Sequence, residues 1–304
     1  MLRRTLSRSR TAAAVLALVA ALAGTAAATT PNDLPIQAAP GLPSPHDFVS
    51  NLDLECFRTN PYVPPPVPGG QLTLEHLNPV LAPQAARWTV NGVGQRQQLC
   101  TPVAKNGVIP PAEVLEYVKY IDLACYRIGG PTLEIPLVLE HLNPVLSHLP
   151  RREVRLMEPQ QLCLPVIKND SVPPSGPLRV LMSIDLVCYR EVPQVPMNAT
   201  LKLTQLNPVL SHLPSTEVGV RENRQLCVPV RKNNQNIPEP ILNIVQWIDL
   251  EKYDIAAPTL PTVELRLRHV NPLMQGWPSE QALLLSPRQL AVPVAKNGKL
   301  PPKL

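Results

Sequence analysis

Near the middle of the chain, residues 162–169 read LCLPVIKN. The same pattern occurs as LCTPVAKN at 99–106 and LCVPVRKN at 226–233, and in a shorter form as PVAKN at 293–297. The lysines of these strings are 63, 64 and 64 residues apart. Apolar residues before a Lys-Asn pair are typical of a strand that ends in a turn, and the proline favours a sheet edge or a bulge. A period this regular indicates a repeated β unit.

Two further strings follow the same period. The pair Asn-Pro recurs with its asparagines 65, 64 and 64 residues apart, and an Asp-Leu pair stands near the start of each unit. The asparagines are Asn78, Asn143, Asn207 and Asn271, and the aspartates are Asp53, Asp122, Asp185 and Asp249. Three strings in one order define four units, at 48–111, 112–174, 175–238 and 239–304, and a proline-rich leader precedes them at 29–47.

Within a unit, apolar residues alternate with a period of two, as in half-buried strands. The clearest runs are 178–190, 201–206 and 265–268, with shorter runs at 154–156 and 161–167. A competing pattern lies at 112–121, where the apolar spacing after Pro111 fits a short helix. About four short strands per unit predict an all-β fold of four tandem repeats of about 64 residues, each a small sandwich- or barrel-like module.

The recurring asparagines and lysines have structural interpretations. Asn-Pro predicts a strand end in a turn, because proline disfavours a helical residue before it and the Asn amide bonds to nearby backbone. Gly107, Asp170, Asn234 and Gly298 follow the Lys-Asn pairs, and these residue types tolerate a positive φ, which predicts a second turn. We expect the four lysines to pack their stems on the sheet with the ammonium in water. Ligand binding by the asparagines is the alternative.

Cysteines occur as one pair in each of the first three units. At the equivalent positions, unit 4 has Lys252 and Ala291, so both thiols are missing together. Joint loss is expected when each bond lies within one unit, because bonds between units would leave cysteines elsewhere without partners. The predicted disulfides are Cys56–Cys100, Cys125–Cys163 and Cys188–Cys227. The sequence has no C-x-x-C string of the kind that redox or structural zinc sites use.

The first 28 residues have the pattern of a secretory signal peptide. Four arginines lie within the first ten residues, an apolar run follows at 12–24, and small residues close the segment. The run is shorter than the ~20 residues that a membrane span needs, so an uncleaved anchor is the less favoured alternative and we expect no span in the mature chain. The sequence therefore predicts a secreted or cell-envelope protein.

Composition and charge exclude several classes. Proline accounts for 39 of 304 residues, which rules out long helices. The net charge is +5, but without the four N-terminal arginines 24 bases face 23 acids, so a nucleic-acid partner is not expected. We find no G-x-S-x-G or H-E-x-x-H motif and no His/Asp/Glu cluster with metal-ligand spacing. No catalytic residue, cofactor or metal is predicted.

The strings Cys-Tyr-Arg and L-C-x-P-V-x-K-N resemble those of a secreted bacterial β-rich repeat domain of unknown function, which carries an early Cys followed by Tyr or Phe. The match is best in units 1 to 3, as in Cys125-Tyr126 with residues 162–169, whereas unit 4 lacks both cysteines. The Leu-Asn-Pro string also differs from the Asp-Gln-aromatic segment of that family. The resemblance implies an exported β-rich module and no activity.

The functional expectation is an exported, non-enzymatic repeat protein that acts as a structural or binding module. Its partner would be an unidentified extracellular protein or envelope component. Two alternatives stay open: a secreted hydrolase with a site formed between repeats, and a secreted inhibitor or ligand-binding protein that presents the proline-rich loop at 61–70.

Overall fold

The structure, a computed structural model, describes residues 41–303. The signal peptide predicted at 1–28 and most of the leader predicted at 29–47 lie outside the described residues. Strands dominate the described chain, so the predicted all-β class is confirmed. Within this part of the chain, no helix is both long and apolar enough to cross a bilayer.

A short helix stands near the start of each unit. The four helices are α1 (Pro45–Ser50), α2 (Ala112–Val118), α3 (Ser175–Leu181) and α4 (Glu239–Val245). A proline opens α1 and a proline occupies the N-cap position of the other three, where its fixed φ is tolerated and its missing N–H costs nothing. Each helix contacts two of the others, so that the four form a closed ring. The short helix that the competing pattern at 112–121 indicates is therefore present, as α2.

The long strand predicted at 178–190 is wrong in its first part. Residues 175–181 form α3, and the strand begins only at Leu186. Val180 and Leu181 are adjacent in sequence and both buried, which is the pattern of one helix face and not of a period-two strand.

Twelve of the thirteen strands in the described chain fall into three groups by position in the unit. The first strands are β1 (Leu54–Thr59), β5 (Asp122–Arg127), β8 (Leu186–Val192) and β11 (Leu250–Ala256). The second strands are β2 (Leu72–His76), β6 (Ile135–His141), β9 (Pro196–Gln205) and β12 (Val263–His269). The long strands are β4 (Arg96–Lys105), β7 (Arg152–Lys168), β10 (Thr216–Lys232) and β13 (Glu280–Lys296), and unit 1 has an additional short strand, β3 (Trp88–Val90).

First strands and long strands alternate around a closed barrel. Antiparallel pairing runs β1–β4–β5–β7–β8–β10–β11–β13, and β13 pairs with β1 to close the ring. The barrel therefore has eight strands and no free edge within this ring. Because every unit contributes two strands, the sandwich- or barrel-like character that the sequence predicts belongs to one shared structure.

The second strands form an outer layer that links opposite units. In units 2 to 4 the second strand pairs with the first half of its own long strand, and in all units it also pairs with the end of the long strand two units away. The end of β7, for example, pairs with β12 at Lys168↔Leu267. Each unit is thus stabilised by strands that lie two units distant in the sequence.

The prolines of the long strands lie where these strands change neighbours. On one side β7 pairs with β8 up to Cys163 and with β12 from Val166, and Pro165 lies in the gap. A residue without an N–H is tolerated at such a gap because no ladder bond is lost. Of the two places expected for this proline, a sheet edge or a bulge, the edge is wrong, since these are inner strands with neighbours on both sides.

Candidate functional site

The interior of the barrel is built in layers. Its helix end is filled by side chains of the helix ring together with Leu54, Leu123, Leu186 and Leu250 from the first strands. Two residues farther along each strand lies a layer of cysteines, which belongs to the same apolar cluster. The opposite end carries polar side chains. The barrel is therefore closed at one end and polar at the other.

Three disulfides occupy the cysteine layer. They are Cys56–Cys100, Cys125–Cys163 and Cys188–Cys227, each between residues directly opposite on neighbouring strands. The pairs lie close to one another, with 3.8 Å between the Sγ atoms of Cys100 and Cys125 and 3.6 Å between those of Cys163 and Cys188. All six cysteines named by the sequence are thus brought together inside one barrel.

Lys252 occupies the fourth position of this layer, opposite Ala291. The residue is 2% exposed, and its Nζ lies 3.8 Å from the Sγ of Cys125. Nζ donates hydrogen bonds to Oε1 of Gln161 (2.9 Å) and Oε1 of Gln98 (3.2 Å). Burial lowers the pKa of Lys252 to about 7, because the charged form loses its hydration. Where the other three units have a disulfide, unit 4 therefore has a buried amine.

Four glutamines form the next layer, directly above Lys252. They are Gln98, Gln161, Gln225 and Gln289, all buried and each two residues before the cysteine position of its long strand. Gln98 Nε2 donates to Oε1 of Gln289 (2.8 Å), and Gln289 Nε2 donates to Asp254 (3.0 Å). Because Lys252 bonds the carbonyl oxygens of two amides, it fixes their NH₂ groups in the direction of their neighbours.

A polar cavity of about 450 Å³ opens above the glutamine layer, and we call it the barrel mouth. It is lined by Arg58, Gln97, Gln98, Gln160, Gln161, Arg224, Gln225, Asp254, Arg288 and Gln289. Arg224 pairs with Asp254 at 2.6 Å, whereas Arg58 and Arg288 have no ion-pair partner among residues 41–303. Oε1 of Gln225 is buried and accepts no hydrogen bond from the described residues. The mouth thus offers two unpaired guanidinium groups beside amides with spare bonding capacity.

Sequence reasoning missed this site. The string Gln-Leu before the cysteine position recurs in all four units, including unit 4, where the cysteine itself is absent. A polar residue that persists on the cysteine face of a strand was the available signal. Arg224 and Arg288 carried no such signal, because units 1 and 2 have Gln97 and Gln160 at the same position. Arg58 does recur in units 2 and 3, but unit 4 has Asp254 there.

The recurring lysines are buried, so the expectation of a hydrated ammonium was wrong. Each is at most 1% exposed and forms an ion pair with the aspartate of its own unit. The pairs are Lys105–Asp53, Lys168–Asp122, Lys232–Asp185 and Lys296–Asp249. Burial is the main influence on both partners; it lowers the pKa of each lysine and raises that of each aspartate, to about 6 for Asp122 and Asp249.

The asparagine of the next unit completes each ion pair, and we call the three residues a bracket. Asn143 Nδ2 donates to Asp53 (2.6 Å) and Asn207 Nδ2 to Asp122 (2.7 Å). Asn78 of unit 1 donates to Asp249 of unit 4 at 2.7 Å, which closes the circle. The predicted turn is also present, since Asn143 Oδ1 accepts from the N–H of Val145 (2.9 Å). The three strings found in the sequence therefore meet in space and join successive units.

The second predicted turn also occurs. The asparagines of the Lys-Asn pairs have φ between 48° and 52°, and the residues that follow them also have positive φ. Oδ1 of Asn169 accepts from the N–H of Arg266 (2.9 Å), and that of Asn106 accepts from Lys202 (2.9 Å). Each turn thereby holds the second strand of the unit two places away.

Three histidines pair with tyrosines in the outer layer. The Tyr Oη to His Nε2 distances are 2.8 Å for Tyr126 and His269, 3.0 Å for Tyr189 and His76, and 3.3 Å for Tyr253 and His141. Burial lowers the pKa of His76 to about 4 and that of His141 and His269 to about 3, so the imidazoles are neutral at pH 7. In residues 41–303, no group of three His, Cys, Asp or Glu side chains is placed to hold a metal ion.

Comparisons of the chain with protein-family models, with curated proteins and with solved structures gave no match.

Proposed function

We propose that this chain is an exported, non-enzymatic binding protein whose barrel mouth takes a small hydroxylated anion of the acidic-sugar class. Export is supported by the pattern of residues 1–28 and by three disulfides, which form in oxidising compartments. The observation that carries the binding role is the barrel mouth itself, a polar cavity of about 450 Å³.

The lining of the mouth decides the class of ligand. Amide side chains donate and accept in one plane, which suits the paired hydroxyls of a sugar ring. Guanidinium groups bind carboxylates through two parallel hydrogen bonds, and Arg58 and Arg288 are unpaired among the described residues. Three arginines line the mouth against one carboxylate, Asp254, so an anion is favoured over a cation or a neutral ligand.

The same lining favours binding over hydrolysis. Glycoside hydrolysis ordinarily uses two carboxyl groups that flank the bond. The described residues that line the mouth include one, Asp254, and it is held by Arg224 and Gln289. The neutral His141 beside Tyr253 lies in a different cavity, where burial raises the pKa of Tyr253 and so opposes its use as a nucleophile.

The loop at 61–70 supports the inhibitor alternative poorly. Inhibitory loops project from the fold toward a partner, but Val67 is only 3% exposed and the carbonyl of Pro66 accepts a hydrogen bond from Trp277 Nε1 (3.3 Å). Pro66 and Val67 thus hold this end of the loop on the outer layer beside Trp277, whereas Val63 at its other end is 70% exposed.

Titration calorimetry of the purified protein with glucuronate tests the proposal, with glucose as the uncharged comparison. We expect glucuronate to bind more tightly than glucose, and its affinity should fall as salt is added. The double variant Arg58→Gln/Arg288→Gln should bind glucuronate at least about tenfold more weakly. Arg266→Gln is the matched control, because this exposed arginine lies outside the mouth, where it pairs with Asp170. No binding of glucuronate, or binding that the double variant leaves unchanged, would overturn the proposal.

A further inference from the structure

Two of the three tyrosine–histidine pairs are covered by an indole ring. Trp277 lies against His269 and Tyr126, with ring centroids 5.0 Å and 5.9 Å away. Trp88 lies against His76 and Tyr189 at 5.4 Å and 6.1 Å. Contacts between aromatic rings stabilise a fold beyond the contribution of the apolar area that they bury. An indole ring against the Tyr–His pair therefore recurs in the outer layer, edge-on for Trp277 and tilted for Trp88.

The third pair, Tyr253 and His141, has no such ring from residues 41–303. Trp277 stands six residues after Asn271, and the residue six after Asn143 in unit 2 is Leu149. A cavity of about 200 Å³ lies at this place, lined by His141, Leu149, Arg152, Pro196, Met197 and Tyr253 among others. The smaller side chain thus leaves a space beside the same two rings that Trp277 covers elsewhere.

The polar groups of this cavity are only partly used. Nη2 of Arg152 donates to Tyr253 Oη (2.8 Å) and to the carboxylate of Glu251, while its Nε and Nη1 have no partner among the described residues. Arg152 is also stacked over the Tyr253 ring at 5.6 Å and is 20% exposed. His141 is 6% exposed, and its Nδ1 is buried without a hydrogen-bond partner in the described chain.

We propose that this cavity, the outer pocket, is a second ligand site that binds a small planar ring bearing a carboxylate. The ring takes the place that Trp277 fills over the other Tyr–His pair, between Leu149 and Met197. The carboxylate accepts a charge-assisted hydrogen bond from Nη1 of Arg152, the terminal nitrogen that has no partner among the described residues. The neutral imidazole of His141 supplies a further hydrogen-bonding atom. This site is separate from the barrel mouth and does not depend on the function proposed for it.

Benzoate is the probe, and benzyl alcohol and cyclohexanecarboxylate test the charge and the planarity separately. We expect wild-type protein to bind benzoate more tightly than either compound, as measured by ligand-detected NMR and titration calorimetry. Glucuronate should not compete with benzoate, because the two sites are separate. Failure of benzoate to bind would overturn the outer pocket and leave the barrel mouth standing.

Leu149→Trp is the decisive variant, since it places an indole where unit 4 already has one. We expect this variant to keep or raise the melting temperature and to bind benzoate at least about tenfold more weakly than wild type. Leu149→Ala should instead enlarge the pocket and shift the preference from benzoate to 2-naphthoate. Ser147→Trp, at an exposed position of the same turn, is the matched control and should leave binding unchanged. Equal benzoate affinity in wild type and a folded Leu149→Trp variant would disprove the assignment.

Discussion

The four units contribute the same residues to the brackets but not to the cysteine layer. At the brackets every unit uses the same three residue types, and the fourth bracket joins the last unit to the first through Asn78 and Asp249. In the cysteine layer three units place a disulfide, whereas unit 4 places Lys252 opposite Ala291. The contacts that never vary are those that close the ring. The departure in the cysteine layer lies directly below the barrel mouth, and it places an amine where the other units have a disulfide.

Breaking a bracket should have the largest effect. Lys168→Met leaves Asp122 as an unpaired charge in a buried site, and removal of one partner of a buried ion pair costs about 3–5 kcal/mol. The free energy of unfolding, measured by urea denaturation, should fall by this amount. The double variant Lys168→Met/Asp122→Asn should recover much of the loss, because no buried charge is then left. A single variant within about 0.5 kcal/mol of wild type would show that the brackets contribute little.

A fourth disulfide, introduced in unit 4, should make the cysteine layer as regular as the brackets. Lys252 and Ala291 are directly opposite in register, as the cysteines of the other units are. We expect Lys252→Cys/Ala291→Cys to form a bond and to raise the free energy of unfolding by about 2–4 kcal/mol. Comparing the oxidised with the reduced form of the same variant separates the bond from the loss of the lysine. An unchanged mass after thiol labelling of the unfolded, non-reduced protein would indicate that the bond had formed.

The buried amine should make stability depend on pH. The pKa of Lys252 is about 7 in the folded chain and near 10.5 when unfolded, so between these values the unfolded state binds more protons. Stability from this group therefore rises as pH increases from about 7 toward 10, by up to about 1.4 kcal/mol per pH unit. Lys252→Met should be more stable than wild type at pH 7, and the difference should shrink at pH 10. A difference that does not change with pH would contradict a lowered pKa.

An ion pair outside both layers should matter least. Arg190 and Glu158 form two hydrogen bonds, of 2.6 Å and 2.9 Å, and both side chains are partly exposed. Exposed pairs contribute about 0.2–1 kcal/mol. Arg190→Gln should thus lower the free energy of unfolding by less than about 1 kcal/mol, and added salt should reduce the effect. A loss as large as that of Lys168→Met would mean that position in the barrel does not decide the energetics.

How far the sequence could predict this molecule depends on where each contact is made. The pairing of Cys125 with Cys163 follows from the units alone, because both partners belong to one unit and are lost together in unit 4. The burial of Lys168 does not, because the asparagine that completes its bracket comes from the next unit and the strand beside it from the unit beyond. A period of two shows which residues share a face but not whether another unit covers that face.

The candidate site shows the same limit. Gln98 and Gln161 could have been noticed, since a glutamine recurs at this position in every unit. The outer pocket could not, because Leu149 looks like an ordinary core residue until Trp277 is seen to cover the equivalent Tyr–His pair. The role of Leu149 can be recognised only when its surroundings in the structure are compared with those of Trp277.

Closure of the barrel has a consequence for the connectivity of the chain. The strands β1 and β13 are hydrogen-bonded neighbours, and the N–H of His46 donates to the carbonyl of Pro302 at 3.0 Å. The order of the units around the barrel is thus cyclic, although the polypeptide is linear. A circular permutant that joins these two ends and opens the exposed loop at 169–172 would retain every strand pairing described above.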